Sequence, residues 1–321
     1  FEGAVPRHDI LRTGFTPDEA APMQIVHRQA RMPVEILDWR DRGAAALDAF
    51  ETWLAEDRTR GFDLTSPPLM RVALIRVTDQ AWRLVWTRHH LLLDGWSTAR
   101  FFADVLRDYI EPRRPQPFAA PAKTRYRDFI AWLAARDTEG ERAFWMERLA
   151  LIDEPTLIAD RESNHNGEPE NPHAPQHLTR RESFDADTTS RLTETARRLK
   201  VTVNTVVQGA WALALQRMTH HRAVSFGATV AGRPDALPDA GTVLGLFINT
   251  LPVITAPLPQ RSASTWLQEL QRENAAAAEH AHTPLYEIPQ WAGQGGGALF
   301  DTLVVFENYP VDEAWQGRDE R

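Results

Sequence analysis

Apolar positions along this chain alternate between two periods. Phe101, Phe102, Val105, Leu106 and Tyr109 recur at three- and four-residue spacing, as do Leu47, Phe50, Leu54 and Ala55 within residues 44–60. Such spacing puts them on one face of a helix. Residues 126–149 carry Tyr126, Phe129, Ile130, Trp132, Leu133, Phe144, Trp145 and Leu149, which predicts one or two helices. Helical patterns return at 192–199, 206–214 and 264–281. Shorter runs at 69–77, 82–87, 223–230 and 299–307 are rich in branched and aromatic residues and read as strands. Apolar runs at 246–248 and 251–254 flank Asn249-Thr250. Residues 9–15 read as a helix end running into a glycine stop. Strands and helices mixed through both halves predict an α/β or α+β layered fold.

The pattern breaks once. Residues 160–177 hold three prolines, an Asn-His-Asn-Gly run and little apolar content. That is linker composition. It divides the chain into an N-terminal subdomain at 1–165, a linker at 166–177 and a C-terminal subdomain at 178–321. The Gly-rich stretch Gly293-Gln294-Gly295-Gly296-Gly297 lacks a bracketing strand and helix, so it reads as a flexible loop rather than a phosphate cradle.

Composition narrows the function classes. No run of about 18 apolar residues is present, so no membrane span is expected. The net charge of −8 argues against a nucleic-acid surface. With no cysteine among 321 residues, disulfides, thiolate metal sites and a cysteine nucleophile are excluded. Eleven tryptophans and fourteen phenylalanines suit well-built cores or a lined channel. No secretion signal opens the chain, and Phe1 is not an initiator methionine, so the N-terminus reads as cut.

Candidate chemistry concentrates in Arg88-His89-His90-Leu91-Leu92-Leu93-Asp94-Gly95-Trp96-Ser97. Histidine is the side chain best matched to proton transfer near neutral pH, and Asp-Gly is a turn signal. A strand delivering two imidazoles to a loop, with Ser97 capping a following helix, is the expected geometry. Adjacent strand residues face opposite sides, so one of His89 and His90 is expected to enter a given cavity and the other to be structural. Asp94 can be a turn residue, a helix-start carboxylate, or the buried partner of a distant arginine such as Arg233. Asn249 can donate to a developing oxyanion or simply serve a turn. His280-Ala281-His282 has metal-compatible spacing, but no third ligand is suggestively placed, so a helix end is expected and no metal.

These residues resemble a known family. His89-His90-Leu91-Leu92-Leu93-Asp94-Gly95-Trp96-Ser97 is similar to the HHxxxDGWS core of nonribosomal peptide synthetase condensation domains, whose shorter HHxxxDG core is shared with chloramphenicol acetyltransferase. Arg7-His8-Asp9-Ile10-Leu11-Arg12-Thr13-Gly14-Phe15 resembles the family's RHxxLRTxF segment, and Tyr126-Arg127-Asp128-Phe129-Ile130-Ala131-Trp132 its aromatic segment. Gly232-Arg233-Pro234 with Gly245-Leu246-Phe247-Ile248-Asn249-Thr250-Leu251-Pro252 resembles its GRP and GxFxNTLP block. His282-Thr283-Pro284-Leu285 and Phe300-Asp301-Thr302-Leu303-Val304-Val305-Phe306-Glu307-Asn308 complete the series in order. The family's opening segment and a portion after Asn308 have no counterpart, so the chain is expected to be part of such a domain.

The resemblance implies two chloramphenicol-acetyltransferase-like subdomains in a V, with a central tunnel. The implied activity is peptide-bond formation: an acceptor amine on one carrier protein attacks a donor thioester on another. The implied catalytic motif is His90, His89, Asp94 and Gly95. His90 accepts or positions the amine proton, His89 packs on the other side, and the Gly95 amide faces the oxyanion. Trp96, Ser97 and Asn249 are implied to line the tunnel. Asp94 and Arg233 are implied to pair and tie the subdomains together, and Arg12 to stabilise the fold. No cofactor is expected on the domain itself, since the substrates ride on the phosphopantetheine arms of donor and acceptor carrier domains beside an adenylation domain. A cytoplasmic setting and an L-configured donor follow from the same resemblance. An epimerization domain and a non-catalytic carrier-recruitment domain are the alternatives.

Overall fold

The computed structural model describes residues 1–17, 22–110, 124–159, 178–291 and 297–307. The described chain forms two compact units. The first comprises Phe1–Ala135 and Arg233–Phe247, and the second comprises Arg136–Gly232 and Ile248–Glu307. The linker expected at 166–177 and the Gly-rich loop at 293–296 lie outside the described residues.

In the first unit, β3 (Val34–Asp38), β4 (Met70–Arg76) and β5 (Trp82–Arg88) form one sheet. β4 runs antiparallel to β5, from Met70↔Arg88 to Arg76↔Trp82, and parallel to β3. A smaller antiparallel pair joins β1 (Thr13–Phe15) to β2 (Gln24–Val26). The helix end expected at 9–15 is instead a short 3-10 turn, Asp9–Arg12, that passes directly into β1. Arg12 fixes this corner by donating to Asp9 and to the His27 carbonyl.

Alternation along the strands sorts the two faces. On one side, Trp39, Ala73 and Ile75 pack with Ala49, Phe50 and Trp53 of α1 (Ala46–Thr59). A larger core gathers Ile10, Leu11, Leu69, Met70, Leu92, Leu93 and Phe101. Phe101 and Val105 bring α2 (Gly95–Ile110) into that core. Its apolar stripe ends early, because Tyr109 is 81% exposed. The segment 233–247 joins this unit through Leu244 in the larger core, and through Val243 and Phe247 against Phe129 of α3 (Tyr126–Ala134).

The second unit contains α4 (Thr138–Leu149), α5 (Ala186–Leu199), α6 (Val203–Thr219), β6 (Val224–Val230), β7 (Asn249–Thr255), α7 (Ala263–Ala278), α8 (Glu287–Trp291) and β8 (Leu303–Val304). Its sheet has the order β7-β6-β8, with β8 parallel to β6. Asp185, Thr202 and Ser262 cap α5, α6 and α7 by accepting an amide three residues on, which satisfies one of the free amides at each helix start. Gly209 lets α6 meet α7 closely, since a Cβ there would lie 2.5 Å from Leu267. The strand expected over 299–307 is only two residues long, and Leu303 remains 51% exposed.

Candidate functional site around His90 and Asp94

β5 ends at Arg88 and α2 starts at Gly95, so residues 89–94 form the connecting loop. Leu92 and Leu93 are fully buried and anchor it from below. His89 N–H donates to the Leu69 carbonyl at 2.9 Å, and the Leu91 amide donates to His89 Nδ1 at 3.2 Å. His89 is therefore engaged with the loop itself. His90 is exposed, and none of the described residues hydrogen-bonds its imidazole.

Asp94 is 1% exposed and occupies the cap position of α2. Its Oδ1 accepts the Ser97 amide at 2.7 Å, and its Oδ2 accepts the Phe247 amide at 3.0 Å. A carboxylate at a helix N-terminus is also favoured by the helix dipole. The cap is thus Asp94, and not Ser97, which sits one turn inside the helix. Arg233 Nη2 lies 3.4 Å from Asp94 Oδ1. The expectation that this pair ties two subdomains together needs correction: segment 233–247 belongs to the first unit, so both partners lie within it.

Arg233 has closer partners than Asp94. Its Nη1 donates to the carbonyls of Ala240 at 2.6 Å and Val243 at 2.9 Å, and its Nη2 donates to Ser97 Oγ at 2.7 Å. Its guanidinium also covers the Phe247 ring at 4.0 Å. Burial lowers its pKa, and the charge of Asp94 opposes that shift. Arg88 shows the same balance, lowered by burial and raised by Asp94. Ser97 is expected to line a tunnel; the structure buries it completely. Its hydroxyl donates to the Gly245 carbonyl at 2.8 Å and receives the Gly245 amide at 3.1 Å.

Tyr126 completes this knot. Its hydroxyl donates to the Leu246 carbonyl at 2.8 Å. Burial, and then the negative charge of Asp94, push its pKa up to about 12. Its ring lies so close to Gly245 that a Cβ there would come within 2.2 Å. Trp96 remains 47% exposed and donates from Nε1 to the Gly241 carbonyl at 3.3 Å. Gly95 is half-buried as the first residue of α2.

Asn249 lies in the second unit. The sequence allows it to line a tunnel or donate to an oxyanion, but its amide nitrogen already donates to the carbonyls of Ala281 at 2.9 Å and Thr283 at 2.7 Å. Its Oδ1 accepts the Thr250 amide. Thr283 in turn donates to the buried Glu141 at 2.9 Å. His282 Nε2 meets the Gly232 carbonyl at 2.8 Å, and burial lowers its pKa. This strap holds the 281–283 turn to the start of β7.

A family model described as condensation domain matches residues 1–321. The curated relatives are peptide synthetases. The chain is 40% identical over 313 residues to one polypeptide of the linear gramicidin synthase of Brevibacillus parabrevis, covering 96% of this chain and 6% of that protein. It is 33% identical to chondramide synthase cmdD of Chondromyces crocatus, over 98% of this chain and 8% of that one. The chain belongs to the condensation domain family of nonribosomal peptide synthetases.

Solved structures agree on the fold of this condensation domain. The first condensation domain of the calcium-dependent antibiotic synthetase, in complex with a substrate analogue, superposes with a TM-score of 0.71 at 20% identity, over 95% of this chain and 70% of that one. The EpoB cyclization-docking bidomain from Sorangium cellulosum gives 0.75 at 22%, over 95% and 61%. The fold is thus the mixed α/β, chloramphenicol-acetyltransferase-like one. The condensation domain spans only 6% and 8% of the two relatives' lengths.

Among the described residues, no cluster of histidine, aspartate and glutamate is arranged for a metal, and no helix is long and apolar enough to cross a membrane. Sequence reasoning misses the roles of Tyr126 and Gly245 in this condensation domain. Both stand in the family's motifs, but nothing in a one-dimensional pattern pairs two residues so far apart in the chain.

Proposed function

We propose that this condensation domain forms an amide bond between two carrier-bound substrates. The acceptor α-amine attacks the donor thioester carbonyl. The new C–N bond replaces the C–S bond, and the amine's proton ends on the departing thiol. The observation that carries this reading is an exposed imidazole, His90, on a loop whose floor is fully buried. An α-amine has an ordinary pKa of roughly 7.7–8.0, so near neutrality a nearby imidazole needs only to hold it or take its proton. Fixed geometry raises the effective concentration of the amine.

Under this reading, His90 contacts the reacting amine. The Gly95 amide, at the start of α2, is a free helix N–H available to the oxyanion. Trp96 presents an exposed ring beside both. Under the same reading the reacting sulfur belongs to the phosphopantetheine arms of donor and acceptor carrier domains, with a neighbouring adenylation domain loading them; the chain itself has no cysteine. The His282-Thr283-Pro284-Leu285 segment supports an L-configured donor. The test supplies two carriers loaded with donor and acceptor aminoacyl groups and reads the intact mass of the acceptor carrier. A mass gain equal to the donor acyl group supports condensation. Exchange of the donor α-proton without transfer marks an epimerization domain, and binding without either reaction marks carrier recruitment.

A further inference from the structure

Behind the His motif lies a second polar cluster with no role in the scheme above. Asp57, near the end of α1, is 4% exposed. Its carboxylate accepts from Arg71 Nε at 2.6 Å, from Thr87 Oγ1 at 2.6 Å and from Arg60. Burial works against its charged form, but these three donors outweigh it and hold the carboxyl at about 2. Arg71 and Thr87 are register partners on β4 and β5, and Thr87 stands two residues before His89.

All three guanidinium nitrogens of Arg71 donate. Its Nη1 donates to the Gly61 carbonyl at 2.8 Å and its Nη2 to the Asp57 carbonyl. So fixed, its guanidinium sits 4.4 Å from the centre of the Phe62 ring. Phe62 then meets the His89 imidazole edge-on, with centroids 6.3 Å apart and planes at 85°. A T-shaped aromatic contact is directional, so it selects a ring orientation as well as filling space. That orientation is the one in which His89 Nδ1 accepts the Leu91 amide. Residues 89 and 91 flank His90. Turning the His89 ring would release one of the two bonds that close the backbone around His90; the other, from the Leu92 amide to the His89 carbonyl at 3.2 Å, does not depend on the ring.

We propose that Phe62 is a positioning residue for amide formation. Held by the Asp57–Arg71 pair, it fixes the His89 ring and through it the backbone that presents His90. This rests on the function proposed above. It predicts that Phe62→Leu, which keeps apolar bulk but removes the ring, lowers kcat roughly tenfold through misplacement of the reactive loop. KM for both loaded carriers should be unchanged, and Phe62→Tyr should restore kcat.

The experiment uses the synthetase carrying this domain, with loaded donor and acceptor carriers. In parallel, carbethoxylation of His89 and His90 by diethyl pyrocarbonate is read by peptide mass spectrometry, with His27 as internal reference. In the native protein His89 should react slowly, because Nδ1 is engaged. In Phe62→Leu it should react several-fold faster, with the native rate back in Phe62→Tyr. Native kcat together with a native His89 rate in Phe62→Leu would overturn the proposal, as would a kcat loss that Phe62→Tyr fails to rescue. If the native synthetase forms no amide, the proposed function fails, and the His89 reactivity still decides whether Phe62 holds the ring.

Discussion

Arg233 Nη2 lies 2.7 Å from the Ser97 hydroxyl and 3.4 Å from Asp94 Oδ1. The hydroxyl, more than the carboxylate, receives the arginine. Ser97 also holds both polar backbone groups of Gly245. One small side chain thus stitches α2 to the segment that returns 148 residues later.

Ser97→Ala should therefore cost more than a surface serine would. It strips the nearer of the two Nη2 partners from Arg233 and a buried partner from the Gly245 amide. Unpaired buried polar groups cost about 1–3 kcal/mol each, so a loss of about 2 kcal/mol and a melting temperature lower by roughly 4–8 °C are expected. A thermal melt checks it; an unchanged melting temperature would contradict the role given to Ser97.

Asp94 and Arg233 should be coupled energetically. Removing one member of a buried ion pair costs about 3–5 kcal/mol, because the other is left uncompensated. Arg233→Ala and Asp94→Asn should each destabilise by about that amount, and the double variant by less than the sum, since contacting pairs show coupling of about 0.5–3 kcal/mol. Arg233→Lys should fall short of full stability, because a lysine cannot reach Ala240, Val243 and Ser97 with one planar fork. Urea unfolding of these variants beside the native protein measures the cycle.

Gly245→Ala should be destabilising for steric reasons. The added Cβ would lie 2.2 Å from Tyr126 Cδ2 and 3.2 Å from Phe247 Cε2. Overpacking of this kind costs about 1–3 kcal/mol. Combining it with Tyr126→Ala should cost less than the two changes added together, and the same unfolding assay detects the difference.

Tyr126 gives a pH-dependent prediction. Its pKa rises from 10.0 unfolded to about 12 folded, through burial and the charge of Asp94. Above pH 10 the unfolded chain releases this proton while the folded chain keeps it. The stabilisation is complete below pH 10 and is lost as pH climbs towards 12. Phenolate absorbance titrated in the native protein and in Tyr126→Phe should differ by one group with a midpoint near 12. A difference curve centred near 10 would contradict the buried environment.

Local chemistry is the legible part of this sequence. The Asp94 cap is readable as one of its options because its partner, Ser97, is three residues away. The apolar and aromatic runs of β4 and β5, the latter partly alternating, mark these strands to within a residue or two. β3 leaves no such trace, because its residues are exposed or half-buried and show no alternation. Ser97 and Asn249 look like site residues because polar side chains in a motif suggest chemistry. Their partners, Gly245 and the 281–283 turn, lie 148 and more than 30 residues away, so only the folded chain reveals them as structural. Position in the chain assigns segment 233–247 to the C-terminal half, whereas its Leu244 and Phe247 pack with the N-terminal unit.

Under the proposed function His90 meets the reacting amine, while the buried Asp94 and Ser97, with Arg233, hold the loop in place beneath it. The most direct test of this division is His90→Ala in the synthetase, with loaded donor and acceptor carriers and intact-mass readout of the acceptor carrier. Proton-transfer groups contribute about 10²–10⁴-fold, so transfer should fall by at least about 100-fold. The melting temperature should stay at the native value, because this exposed imidazole holds nothing in place among the described residues. Product formation at the native rate by His90→Ala would contradict the account.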